Sequence, residues 1–323
     1  MRKIIIVAPA GLVTGGAELL HQLCSCLNDN GIRALIGYSI DDSHGSVYWS
    51  GQNDVIREYK GYNIEVLDAR KEVITNDDIF VISETALELL PILKSNLIFI
   101  WWLSVDNYIK CIHQDINNYT PTGFKDKSNI LHLVQSWYAY RFLIEAAGVD
   151  DSKIYWLSDY INDSFLKKKF SVSAKTNQIV YNPAKGYKNI KRLIDDTPYY
   201  NWVPVKNMTP LQVAYTLQCS KIYIDFGNHP GKDRIPREAA ASGCCVITNR
   251  SGSAAYYEDI PIPDEYKFKD SVYSEKEIIA LIKDIFDNFE NHLADFEYYR
   301  QKISQEKKEF IIDATQTFKQ FIR

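Results

Sequence analysis

Short apolar runs, each followed by a turn and then an amphipathic stretch, recur along the whole chain. Residues 3–8 form the first run. A glycine loop with Gly11, Gly15 and Gly16 then leads into 17–27, where Leu19, Leu20, Leu23 and Leu27 recur at helical spacing. Residues 33–39, 64–67, 79–82, 97–103, 130–134 and 153–157 read as further strands, and 41–53 as a polar loop. Ser83 stands where a cap would open a helix over 84–93, and a helix over 135–147 is stopped by Gly148. His132 alternates inward within its strand and reads as a core histidine; His113 lies in a polar stretch and reads as exposed.

The alternation pauses at 166–177, where Lys167, Lys168 and Lys169 precede small and polar residues, and then restarts. Strands are predicted over 178–181, 200–205, 221–226 and 244–248, with helices over 189–195 and 210–219, the second capped by Thr209 with Pro210 in its first turn. Pro236 opens a helix that Gly243 ends, Ser251–Ala254 form a small-residue turn, and 275–289 and 291–321 are helical. Strand, loop and helix in this order predict an α/β protein with parallel sheets, whose ligands bind at the carboxyl ends of the strands. A chain of 323 residues exceeds one ordinary core and divides into domains at 1–165 and 166–323.

The loop and helix over 227–243, together with Val246-Ile247 and the turn over 251–254, resemble the donor half of GT-B glycosyltransferases, above all the family-4 retaining group. Glu238-Ala239 and Gly243 match that family's Glu-Ala and its later glycine, and Gly15-Gly16-Ala17-Glu18 matches its Gly-Gly-x-Glu. Lys185-Gly186 matches the Lys-Gly after the first strand of its donor domain. The resemblance implies two facing Rossmann-like domains, with a last helix, about 300–323, returning to the first. It implies an enzyme of hexosyltransferase type that uses a nucleotide sugar, without a cofactor or metal.

By the same resemblance Glu238 accepts the ribose hydroxyls and Lys185 pairs with the departing diphosphate. The loop at Ser253-Ala254 supplies N–H groups to it, and Gly15-Gly16 approaches the phosphates and the acceptor. The family's sugar-holding Glu, eight residues before Glu238, is Pro230 here, and the Arg five residues before its Lys is Val180. Lys232 and Arg234 stand close enough in the chain to replace the missing positive charge. Asp233, ionised and just before the helix of Glu238, is favoured over Asn228 and His229 to hold the sugar. A histidine usual at the end of the Trp101-Trp102 strand is absent. Asp106 is the nearest ionisable residue, and it either orients or deprotonates an acceptor hydroxyl or caps the next helix.

Composition narrows the partners. The net charge of −4 disfavours a general nucleic-acid binder, and no apolar run approaches the ~20 residues of a spanning helix. The opening apolar run is too short for a secretory leader, and the six cysteines lack zinc spacing and read as reduced thiols, so a cytoplasmic protein is expected. Peripheral contact with the inner face of an anionic membrane is a candidate role for Lys167–Lys169, the alternative being a solvated linker. The implied setting is bacterial surface-polysaccharide synthesis with a glycan or lipid-linked acceptor. Two other readings keep the fold: a sugar-nucleotide epimerase or hydrolase, and a non-catalytic nucleotide-sugar-binding protein. Neither glycine loop has the G-x-G-x-x-G of a nicotinamide site.

Overall fold

The structure, a computed structural model, describes residues 2–41, 47–49, 57–68, 71–114, 121–124, 127–166, 170–269 and 274–322. Lys167, Lys168 and Lys169 and the side chain of His113 lie outside the described residues. The chain forms two compact units. The first comprises Met1–Gln135, Ala139–Asp159 and Lys308–Arg323, and the second Ser136–Tyr138 and Tyr160–Lys307.

The first unit is built on an eight-stranded sheet. Its strands are β1 (Ile4–Pro9), β2 (Ala34–Asp41), β3 (Val47–Trp49), β4 (Glu65–Val66), β5 (Ile79–Ser83), β6 (Leu97–Trp102), β7 (Ile130–Val134) and β8 (Ile154–Trp156). They lie in the order β3-β2-β1-β5-β6-β7-β8, with β4 also beside β2. All pairings are parallel except β2 with β3, which falls within the stretch expected to be a polar loop. Residues Ile4–Ala8 and Ile79–Ile82 are buried because helices or chain cover both faces of a parallel sheet. Each buried Ile or Val contributes about 1.5–3 kcal/mol.

Helix α1 (Gly15–Asp29) follows β1, its N-terminus capped by Thr14, whose hydroxyl accepts the Ala17 N–H at 3.2 Å. Helix α2 (Val105–Gln114) follows β6, and Ser104 Oγ accepts the Asn107 N–H at 3.1 Å in its first turn. The helix expected over 84–93 does not form; a single 3₁₀ turn, Leu87–Leu89, stands there. Pro91 has no N–H to donate, and the Glu84 carboxylate accepts the Leu103 N–H at 2.9 Å instead of facing solvent on a helix. His132 is fully buried and accepts the Trp102 indole N–H at 3.0 Å; burial lowers its pKa to about 3, so it is neutral.

The second unit carries β9 (Thr176–Tyr181), β10 (Asn201–Pro204), β11 (Ser220–Asp225), β12 (Cys245–Asn249) and β13 (Lys267–Phe268), all parallel, in the order β10-β9-β11-β12-β13. Helix α3 (Trp137–Arg141) begins with the second unit's Trp137 and Tyr138 and continues in the first unit, running on into a π turn that ends before Gly148. Helices α4 (Tyr187–Asp196), α5 (Pro210–Cys219), α6 (Arg234–Ala241) and α7 (Glu275–Asp287) accompany the second sheet. Thr209 and Gln212 form a reciprocal capping box on α5. Gly243, at φ +79°, ends α6, while Pro236 lies in its first turn rather than opening it. The expected last helix is two, α8 (Phe289–Ala294) and α9 (Glu297–Lys319). The C-terminal part of α9 belongs to the first unit, where Phe310 stacks over Trp101 and Phe318 meets Phe99 at 5.2 Å between ring centroids.

In each sheet the direction of strand succession reverses once, between β1 and β5 in the first and between β9 and β11 in the second. At such a switch point the loops leaving the two neighbouring strands diverge and open a crevice at their carboxyl ends. Gly15, Gly16, Lys185 and the loop residues Lys232 and Asp233 follow three of these strands, Arg234 and Glu238 lie on α6 after β11, Asp106 follows β6, and Ser253 and Ala254 follow β12.

Candidate functional site

The second unit's switch point is closed by backbone packing. After β9 the chain turns at Asn182, whose Oδ1 accepts the Ala184 N–H at 3.0 Å, and reaches Lys185 and Gly186. Gly186 has φ +69°, and a Cβ there would stand 2.5 Å from the Gly227 nitrogen. Only glycine allows this approach, and it sets Lys185 against the loop that leaves β11. That loop is also tied at its start: Asn189 donates to Phe226 O at 2.7 Å and Asn249 to Gly227 O at 2.8 Å.

Within the loop the charged groups form a chain. Lys185 Nζ lies 2.7 Å from Asp233 Oδ1. His229 Nδ1 lies 3.1 Å from Asp233 Oδ2, and its Nε2 3.8 Å from Asp225 Oδ1, ion-pair approaches without hydrogen-bond geometry. Asp225 is anchored by the Tyr223 hydroxyl at 2.8 Å and the Gly227 N–H at 2.9 Å. Burial alone would lower the His229 pKa, but the Asp233 and Asp225 carboxylates outweigh it and raise it. Burial likewise pushes Asp233 up, but His229 and Lys185 outweigh it and hold the carboxyl below its ordinary range.

Asp225, His229 and Asp233 bring groups able to ligate a metal within 4.8 Å of one another. The set suits a cation poorly. Both Asp225 oxygens already accept protein hydrogens, the two ring nitrogens lie against different carboxylates, and the Lys185 ammonium occupies Asp233. An imidazolium between two carboxylates fits the contacts better.

The other expected residues lie around this chain. Asp233 precedes α6 but makes no side-chain cap bond to it, since its carboxylate is turned to Lys185 and His229. Arg234 opens α6, and Glu238 lies on the same helix, both half-buried. Lys232, expected to reach a phosphate, instead pairs with Glu306 at 2.8 Å, and the same carboxylate receives Arg237 at 2.8 Å. Arg237 also donates to the carbonyls of Asp233 at 3.2 Å and Lys232 at 2.9 Å, so it clamps the loop from beneath.

Ser253 and Ala254 are buried, and their N–H groups already donate, to His229 O at 2.8 Å and Ser251 O at 3.1 Å. Ser253 Oγ donates to Gly231 O at 2.6 Å. Ser253 therefore holds the β11 loop, and both N–H groups are engaged by protein carbonyls. Gly252 makes that contact feasible: at φ +54°, a Cβ would lie 2.0 Å from His229 O. Gly252→Ala should lower stability by at least about 2 kcal/mol, from left-handed strain and the clash together. A urea unfolding free energy that falls by less than about 0.5 kcal/mol would contradict the packing.

The first unit's switch point holds a cavity of about 440 Å³. Gly16, Thr14 and Ala17 line it after β1, Ser83, Glu84, Thr85 and Glu88 after β5, and Leu103, Ser104 and Asn107 after β6. Gly15 opens α1 beside them. Asp106, in the first turn of α2, is not among the lining residues, although Ser104 and Asn107 on either side of it are. Beside Glu88, the carboxylate that lines the cavity is Glu84, which falls in the stretch expected as a helix. It is 2 % exposed, and burial raises its pKa to about 7 against the opposing hydrogen bonds from backbone N–H groups.

Neither known protein families nor curated protein sequences give a match to this chain. Solved structures do. A glycosyltransferase from Rickettsia africae ESF-5 matches over 100% of this chain and 99% of its own, with TM-score 0.68 and 13% identity. Sucrose-phosphate synthase from Thermosynechococcus elongatus matches over 99% of both chains, with TM-score 0.64 and 11% identity. An Anabaena protein solved in complex with UDP-glucose matches over 99% of both, with TM-score 0.59 and 12% identity. These likenesses are of fold: the chain has the GT-B architecture of two Rossmann-like domains.

Proposed function

We propose that this chain is a nucleotide-sugar-dependent glycosyltransferase of hexosyltransferase type. The observation that carries the reading is the charge chain Lys185–Asp233–His229–Asp225 at the β9/β11 switch point, where this fold class binds its ligand. An ammonium whose ion-pair partner among the described residues is a carboxylate that a ligand can displace suits a diphosphate. Neighbours of the same fold have been solved with UDP-glucose, UDP and UDP-2-fluoro glucose, which supports a donor of that kind.

In this reading Glu238 accepts the ribose hydroxyls and Lys185, with Arg234, stabilises charge on the departing diphosphate. The loop clamped by Arg237 positions Asp233 near the sugar in place of the side chain that Pro230 lacks. Gly15 and Gly16 lie on the acceptor side. A retaining outcome, a glycan or lipid-linked acceptor, and work at the cytoplasmic face in bacterial surface-polysaccharide assembly complete the proposal. Membrane contact through Lys167–Lys169 belongs with it.

A panel of sugar nucleotides, with and without glycan and lipid-linked acceptors, tests the reading by release of nucleoside diphosphate. Release that depends on acceptor supports it. Donor turnover without acceptor favours an epimerase or hydrolase, and binding without turnover favours a sugar-nucleotide-binding protein. Calorimetry adds an independent check: Glu238→Ala should weaken nucleoside-diphosphate binding at least about tenfold, since charge-assisted hydrogen bonds contribute about 1.5–3 kcal/mol. Unchanged affinity in a folded variant would remove Glu238 from the site.

A further inference from the structure

His229 is fully buried, and each of its ring nitrogens faces a carboxylate. Nδ1 lies 3.1 Å from Asp233, just before α6, and Nε2 lies 3.8 Å from Asp225 at the end of β11. A neutral imidazole carries one N–H and one lone pair, so one of these contacts would set a lone pair against an anion. Only the imidazolium presents an N–H to both. The ring has little room to turn away. The His229 carbonyl accepts the Ser253 N–H at 2.8 Å and packs against Gly252, and Pro230 disfavours helical conformations for the His229 backbone. Asp225 is fixed in turn by the Tyr223 hydroxyl and the Gly227 N–H. Asp233 is held differently: its Oδ1 meets the Nζ of Lys185, a side chain 40 % exposed, and its carboxylate makes no cap bond to α6.

Cations and anions therefore alternate from Lys185 through Asp233 and His229 to Asp225. A diphosphate that draws off the Lys185 ammonium leaves Asp233 and Asp225, whose side chains are 14 % and 2 % exposed, with the ring between them. If the ring is neutral, two buried carboxylates are left without a cation, which is costly. If it is protonated, each keeps one. Resting on the reading that Lys185 receives the donor diphosphate, we infer that His229 is a positioning residue: its imidazolium holds Asp233 when Lys185 turns to the diphosphate, so that donor binding is coupled to a proton on His229. By reciprocity, protonation strengthens donor binding, and donor binding raises the proton affinity of the ring. The two carboxylates already raise the His229 pKa against its burial. Donor affinity is therefore highest below that raised pKa and falls as pH rises through it. The other charged groups on these elements do not replace the ring. Lys232 and Arg237 are turned to Glu306, and the Tyr223 hydroxyl, whose pKa burial pushes well above its ordinary range, stays protonated on Asp225. Arg234 and Glu238 are the remaining charged groups of α6, and the turn at 252–255 brings none.

The test uses the full chain with UDP-glucose, ADP-glucose and GDP-mannose as probes, the tightest binder being carried forward. Their diphosphates are diesters with no proton to lose near neutrality, so a proton taken up on binding belongs to the protein. Calorimetry in buffers of different ionisation enthalpy, from about pH 6 to about pH 8.5, reads affinity and proton uptake together. For the parent chain, affinity should fall at least about fivefold across this range, the low end for two linked equilibria, with part of a proton taken up per ligand. His229→Gln removes the charge. It should bind with the parent's weaker, high-pH affinity at every pH and take up no proton. Asp233→Asn leaves no displaced carboxylate for the ring to hold and should lose most of the slope and of the uptake; it carries the test if the Gln variant does not fold. A merely structural His229 would lower stability without changing the pH dependence. A parent chain that binds a probe with flat affinity and no proton uptake overturns the inference and leaves the glycosyl-transfer reading intact. Proton uptake that survives both substitutions does the same, since another group then titrates. A chain that neither binds nor turns over any sugar nucleotide overturns the reading beneath, and this inference with it.

Discussion

Glu306→Ala is expected to destabilise the second unit by about 3–5 kcal/mol, the range for breaking a buried ion pair by removing one partner. Glu306 is 3 % exposed and is the shared anion for Lys232 and Arg237, whose side chains are 10 % and 1 % exposed. Removing it takes from both buried cations the carboxylate they share. Because a domain's total stability is about 5–15 kcal/mol, this is a large fraction of it. Urea denaturation followed by tryptophan fluorescence measures this. The comparison that isolates the cause is a variant in which all three are made apolar, Lys232→Met with Arg237→Met and Glu306→Leu. It should recover much of the loss, because no unpaired charge remains. A loss below 1 kcal/mol for Glu306→Ala would show that water reaches the cluster and that the clamp is not dry.

The fold was legible wherever the signal is local. Strands such as Ile4–Pro9 and Ser220–Asp225 are apolar runs bounded by turns, Gly243 terminates α6 at a positive φ, and Thr209 with Pro210 opens α5. Lys185 and the β11 loop were legible for the same reason: each follows a buried strand directly. What could not be read were partnerships across the chain. Arg237 looks like one charge on an amphipathic helix, and its partner stands 69 residues later on another. Glu84 is hidden because its stretch has the pattern of a helix. The signal that exposes it is a carboxylate at the carboxyl end of an apolar run, the same sign that marks Asp225 as the last residue of β11. The strand order is not written in any one segment, and it alone places Gly16 and Glu84 at one crevice and Lys185 and Asp233 at another.

Lys185 and Asp233 should then respond to mutation with opposite signs. Their ion pair joins a lysine side chain 40 % exposed to a carboxylate 14 % exposed, so solvent screens it and it is worth about 0.2–1 kcal/mol. A diphosphate that takes Lys185 must displace Asp233, whose negative charge remains stabilised by His229. Lys185→Ala should therefore weaken nucleoside-diphosphate binding about tenfold or more and reduce turnover about 10²-fold, as for other lost stabilisers of leaving-group charge. Asp233→Asn keeps the loop's shape and removes only the competing charge. It should leave bare nucleoside-diphosphate affinity unchanged or raise it up to about fivefold, the equivalent of the screened ion pair, while sugar transfer falls. The double variant should bind like Lys185→Ala alone, since without the lysine there is nothing for Asp233 to compete over. Calorimetry on the four proteins with one nucleoside diphosphate decides the matter. If Asp233→Asn weakens binding as much as Lys185→Ala does, the carboxylate is needed to aim the lysine, and the two act as one positioning unit rather than as ligand and competitor.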